Sequence, residues 1–80
     1  MPQPFQVESL RFETTAIYRI VVQGFIDQAD VENVGGMYIS YLVQGQTILV
    51  GEVRDQSALN GILNTLLELH LPIVLVECLG

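Results

Sequence analysis

Lysine is absent from this chain, arginine occurs three times, and nine acidic residues leave a net charge of −6. Binding nucleic acid by phosphate neutralisation needs a basic face, so that function class is disfavoured, and an anionic membrane surface is disfavoured for the same reason. Cysteine occurs once, at Cys78, so no internal disulfide and no Cys/His metal cluster can form. Apolar runs are short. None approaches the ~18 residues of a membrane span. The start, "MPQPFQVESLRFE", has neither the basic beginning nor the apolar run of a signal peptide. The expected protein is cytoplasmic, with no cofactor, no nucleic-acid partner and no membrane partner.

What the chain does have is apolar side chains. Half of its 80 residues are hydrophobic and 15% are charged. A domain of this size buries only about 60% of the surface its unfolded chain exposes. Apolar surface should be left over, and self-association is its usual fate.

Two regions are expected: an N-terminal arm at residues 1–13 and one domain at residues 14–80. In the arm, Phe5, Val7, Leu10 and Phe12 alternate imperfectly after two prolines. Residues 16–24, "AIYRIVVQG", read as a central strand rich in β-branched and aromatic residues. Residues 27–34 read as a short helix with Asp27 as N-cap and Gly35-Gly36 as its stop, packing through Ala29, Val31 and Val34. "MYISYLV" and "TILVGEVR" form a hairpin about Gln44-Gly45. Gly51 interrupts the second of these strands, which signals a bulge or the close approach of a helix. Residues 56–70 carry one apolar stripe, Leu59, Ile62, Leu63, Leu66 and Leu69, ended by Leu71-Pro72. Gly61 within it suggests close helix–sheet contact. "IVLVECL" is the last strand.

The order β-α-β-β-α-β is a split βαβ unit. With right-handed crossovers it gives an α+β, ferredoxin-like fold: a four-stranded, mostly antiparallel sheet with both helices on one face. Alternation sends Tyr18, Ile20, Val22, Leu49, Gly51, Val53, Val74, Val76 and Cys78 toward the helices. The opposite set, Ile17, Arg19, Val21, Ile48, Val50, Glu52, Ile73, Leu75 and Glu77, forms an open face. This face is the expected homodimer surface, with Arg19 set among Glu52 and Glu77.

Little reactive chemistry is written in the chain. Ser57 and His70 are thirteen residues apart on one helix, roughly 20 Å at ~1.5 Å per residue, well beyond hydrogen-bond reach. His70 fits the helix C-terminus, where the dipole favours a cation. Asp55 and Ser57 are helix-cap residues or, more weakly, a ligand site. Asp27, Asp30 and Glu32 lack the spacing of a calcium loop. No catalytic, cofactor-binding or metal residue is assigned.

The segments "YRIVVQGFID", "GQTILVGEVRDQSALNGILNTLLELHLPI" and the strand after Pro72 resemble a family of small uncharacterised bacterial proteins. Its members carry Gly-x-Thr-x-Leu-x-Gly-x-Val-x-Asp-Gln-Ala-Ala-Leu-His-Gly-Leu-Leu. The likeness rests on Gly45, Thr47, Leu49, Gly51, Val53, Asp55, Gln56, Ala58, Leu59, Gly61, Leu63, Leu71 and Pro72. Asn60 stands where histidine is usual, and the family's tryptophans are absent. The resemblance implies the same unit and carries no activity. Three functions are open: a non-enzymatic homo-oligomeric interaction or regulatory module, with another protein as the other possible partner; a small-molecule-sensing domain similar to amino-acid-binding regulatory domains, its site between Gly24–Asp27 and the Asp55 helix start or at the dimer seam; and an enzyme of the dimeric α+β-barrel type, in which Tyr18, Tyr38, Tyr41, Asp27 or His70 would meet.

Overall fold

A computed structural model describes residues 15–80, and the expected arm at residues 1–13 lies outside them. The elements are β1 (Ala16–Gln23), α1 (Gln28–Val31), β2 (Met37–Val43), β3 (Gln46–Val53), α2 (Gln56–Glu68) and β4 (Ile73–Cys78). They build an α+β domain around one open sheet of order β2-β3-β1-β4. All three strand pairs are antiparallel, and β1 and β3 lie in the middle.

The alternation of the two middle strands decides where the core sits. Tyr18, Ile20, Val22, Leu49 and Val53 are buried in one cluster with Val31 and Val34 from the first crossover and Leu59, Ile62, Leu63 and Leu66 from α2. These four α2 residues recur at helical spacing, so one stripe of the helix seals against the sheet. Each fully buried Leu or Ile contributes about 1.5–3 kcal/mol of transfer free energy.

α1 is shorter than its sequence suggests. The helix covers Gln28–Val31, and the chain then passes through turns. Asp27 occupies the N-cap position but makes no side-chain cap bond. Ala29 is exposed, while Val31 and Val34 are buried. A single turn cannot sustain itself, so burial of these two valines holds the segment.

The hairpin turns at Gln44 and Gly45, whose φ angles of 48° and 79° supply the two left-handed residues of a type I′ turn. Thr47 is fully buried, and its hydroxyl donates to the Gly24 carbonyl at 2.7 Å. The Gly24 amide donates in turn to the Gly45 carbonyl at 2.6 Å. These bonds clasp the end of β1 to the hairpin. Gly51 sits opposite Met37. A Cβ there would lie 2.6 Å from the Gly36 carbonyl oxygen and 2.9 Å from the Met37 Cα, so β2 approaches over a missing side chain. The close approach comes from a neighbouring strand, and no helix is involved. At Gly61 an added Cβ would meet open space, so the expected helix–sheet contact there is not formed.

α2 ends in a Schellman motif. His70 adopts the left-handed conformation (φ 60°), its amide donates to the Leu67 carbonyl, and the Leu71 amide donates to the Leu66 carbonyl. His70 thus fills a position that usually belongs to glycine, and buried Leu71 lies one residue beyond it.

Two register shifts reset the faces of the edge strands. One falls between Ile39 and Tyr41 in β2, and the other lies opposite Val21 and Val22 in β4. In β4, Ile73 pairs with Val22 and Leu75 with Val21. Ile73 therefore packs against the core, whereas Val74 is exposed. Both assignments reverse the simple alternation, because the extra residue at the bulge shifts the period of two by one step.

Candidate functional site

The second face of the sheet is the most distinctive surface of the described residues. On β1 it carries Ile17, Arg19 and Val21. On β3 it carries Ile48, Val50 and Glu52, which lie opposite Val21, Arg19 and Ile17 in register. β4 adds Leu75 and Glu77 beside Val21 and Arg19. β2 adds Tyr38 opposite Val50, Tyr41 opposite Ile48 and Val43 opposite Gln46.

The three β2 residues escape a reading by alternation alone. The skipped residue, Ser40, carries Tyr41 onto the same face as Tyr38. The legible signal was the aromatic pair itself; the bulge was not legible. Tyr38, Tyr41, Val43 and Leu75 are exposed, whereas Val21 and Ile48 in the middle are buried by their neighbours.

The charges gather at one end. Arg19 and Glu77 are cross-strand partners. The Arg19 Nε donates to Glu77 Oε1 at 2.6 Å, and a second guanidinium nitrogen, Nη2, reaches the same oxygen. Both side chains are more than a third exposed, so screening holds the pair to ~0–1 kcal/mol. It fixes geometry more than it adds stability. Glu52 is exposed and stands outside the pair, although the sequence placed it in one cluster with Arg19 and Glu77. At the other end, Gln46 Nε2 donates to Gln23 Oε1 at 3.4 Å. The face is thus an apolar middle between an ion pair and an amide pair.

The strand-to-helix junction after β3 is a cap. The Asp55 carboxylate accepts from the Ala58 amide at 2.9 Å, and Ser57 is exposed. Gly24–Asp27 and Asp55 do not share a site. β1 and β3 are antiparallel over eight paired positions, so the end of β1 and the end of β3 lie at opposite edges of the sheet, roughly 20 Å apart at ~3.3 Å per residue.

The enzyme candidates are separated as well. Tyr18 lies in the core, whereas Tyr38 and Tyr41 lie on the open face. Burial pushes the Tyr18 phenol above its ordinary pKa, and the neighbouring Cys78 adds to that by charge and hydrogen bond. His70 and Ser57 stand at opposite ends of α2. Among the described residues no three His, Cys, Asp or Glu side chains gather as a metal site requires. Nor is any described helix long and apolar enough to cross a membrane.

A cleft of about 350 Å³ opens beside the junction, bordered among the described residues by Thr15, Gly35, Glu52, Arg54 and Ala58.

The residues that carry the sequence resemblance are architectural here. Gly45 turns the hairpin, Thr47 clasps Gly24, and Leu49 and Val53 fill the core. Gly51 admits β2, and Asp55 caps α2. Such a motif specifies a fold and leaves its surface open to variation.

These features define a small α+β domain built on a four-stranded antiparallel open sheet. Residues 17–77 match the model of a domain of unknown function, DUF8691, and the chain belongs to that family. No curated protein and no solved structure matches it.

Proposed function

We propose that this chain is a non-enzymatic, ferredoxin-like βαββαβ module that pairs with a second copy of itself through the open face. The observation that carries this reading is the apolar middle of that face. It places Tyr38, Tyr41, Val43, Val50 and Leu75 beside one preset ion pair, Arg19–Glu77. The strand order and the three antiparallel pairs support the ferredoxin-like arrangement. A stable pair needs about 800 Å² per partner, and one face of a four-stranded sheet is the surface here best suited to supply it. The exposed free thiol of Cys78 fits a reducing, cytoplasmic setting. Bacterial affiliation rests on the motif resemblance.

The test is solution mass by light scattering over a concentration series, for the native chain and for Val50→Glu. The native chain is expected to be a dimer. Val50→Glu is expected to be a monomer with an unchanged far-ultraviolet spectrum, because its carboxylate would lose water on association while the guanidinium opposite it, Arg19, is already committed to Glu77. A native chain that stays monomeric, or a Val50→Glu dimer of undiminished affinity, overturns the reading.

A further inference from the structure

We infer that the cleft between the end of β3 and the start of α2 seats Phe12 of this chain's own N-terminal arm. Two small residues on its border bring the core close to the surface. Gly35 follows buried Val34 and lies directly against Ile62, since a Cβ there would stand 3.1 Å from Ile62 Cγ1. Ala58 precedes buried Leu59 and packs against the same core cluster. An apolar side chain set beside them extends that core and is removed from water.

Size and position choose the occupant. A cavity of about 150 Å³ already accommodates a benzene ring. A cleft of about 350 Å³ therefore has room for a phenyl ring and the backbone that carries it. Thr15 stands on the border of the cleft and is the first described residue, with fourteen before it in the chain. Phe12 lies three residues ahead of Thr15, a reach of at most roughly 11 Å. Leu10, Val7 and Phe5 stand five, eight and ten residues ahead. A tether raises the effective concentration of what it carries, most for the shortest linker that spans the gap, and this favours Phe12. An untethered peptide would lose more freedom on binding. The cleft is then a seat for the chain itself. This inference does not depend on the open-face dimer.

The test uses the full chain, which has no tryptophan. Phe12→Trp introduces a single indole, and Phe5→Trp provides the comparison. The indole at position 12 is expected to emit to the blue of that at position 5 and to be quenched several-fold less by acrylamide. Ala58→Asp puts a charge on the cleft border, at a helix start that tolerates one. It is expected to abolish the protection with an unchanged far-ultraviolet spectrum. Independently, Phe12→Ala is expected to shift the amide NMR signals of Gly35 and Ala58 and to leave those of Val43 and Leu75 in place. Unchanged Gly35 and Ala58 signals overturn the proposal, as does an indole at position 12 quenched as freely as that at position 5. Protection that survives Ala58→Asp puts the ring elsewhere and also overturns it. Quenching repeated in the Val50→Glu background, with light scattering, keeps the open face separate. Protection lost together with dimer assigns the cleft to the arm of a second copy and overturns the intramolecular seat.

Discussion

The two faces of one sheet share their strands and their backbone bonds, yet they differ in what covers them. On the covered face, Ile20, Val22 and Leu49 have no exposure at all. On the open face, residues from the same strands stand half-buried or flanked by exposed neighbours such as Tyr41 and Leu75. Adjacent residues such as Leu49 and Val50 therefore have different tasks. One face holds the monomer together. The other contributes little to it and is free to contact something else.

The largest effect expected from this contrast is on core truncation. Leu49→Ala should cost about 3 kcal/mol, because a fully buried leucine leaves a cavity that the close-packed interior closes only in part. Leu75→Ala on the open face should cost under about 1 kcal/mol at concentrations too low for association. Urea unfolding of both variants measures the gap. Similar losses would mean that the open face is as tightly packed as the covered one.

Glycine gives a second contrast, smaller and of opposite signs. Gly51→Ala should destabilise by about 2 kcal/mol, since its Cβ would press on the backbone of Gly36 and Met37, which cannot rotate away. Gly61→Ala should stabilise by about 0.5–1 kcal/mol, since its Cβ meets nothing and alanine favours the helix. Thermal melts of the two variants should shift in opposite directions.

The smallest expected effect concerns Tyr18, on the covered side. Its native pKa is raised above the ordinary value of 10.0, first by burial and then by Cys78. The unfolded chain therefore releases this proton at lower pH than the folded chain. The stability linked to Tyr18 is fully present below that ordinary value and is lost as pH rises from there through the raised native value. Urea midpoints between neutral and strongly alkaline pH should fall less steeply for Tyr18→Phe than for the native chain. Equal slopes would place Tyr18 in a wetter setting than the core.

Much of this arrangement was legible in the residues. The period-two pattern of β1 and β3, the stripe on α2, the Gln44-Gly45 turn and the Asp55 cap each depend on neighbours a few positions away, so local chemistry specified them. The errors have a common cause. Ile73 and Val74 exchanged faces because a bulge in β4 is set by how that strand pairs with β1. The first helix shrank because two buried valines, and not helix propensity, hold it. Gly61 was read as a contact and faces open space, since nothing in a helical repeat reports the distance to a neighbour.

The sequence by itself determined the element order, the composition of the core and the surplus of apolar surface, because period, capping and burial are written in local residue choice. The tertiary structure alone decided the rest. It chose Glu77 over Glu52 as the partner of Arg19, fifty-eight residues away, and carried Tyr41 onto the open face. Strand register and antiparallel pairing are long-range properties, set by the packed sheet as a whole and by no segment of it.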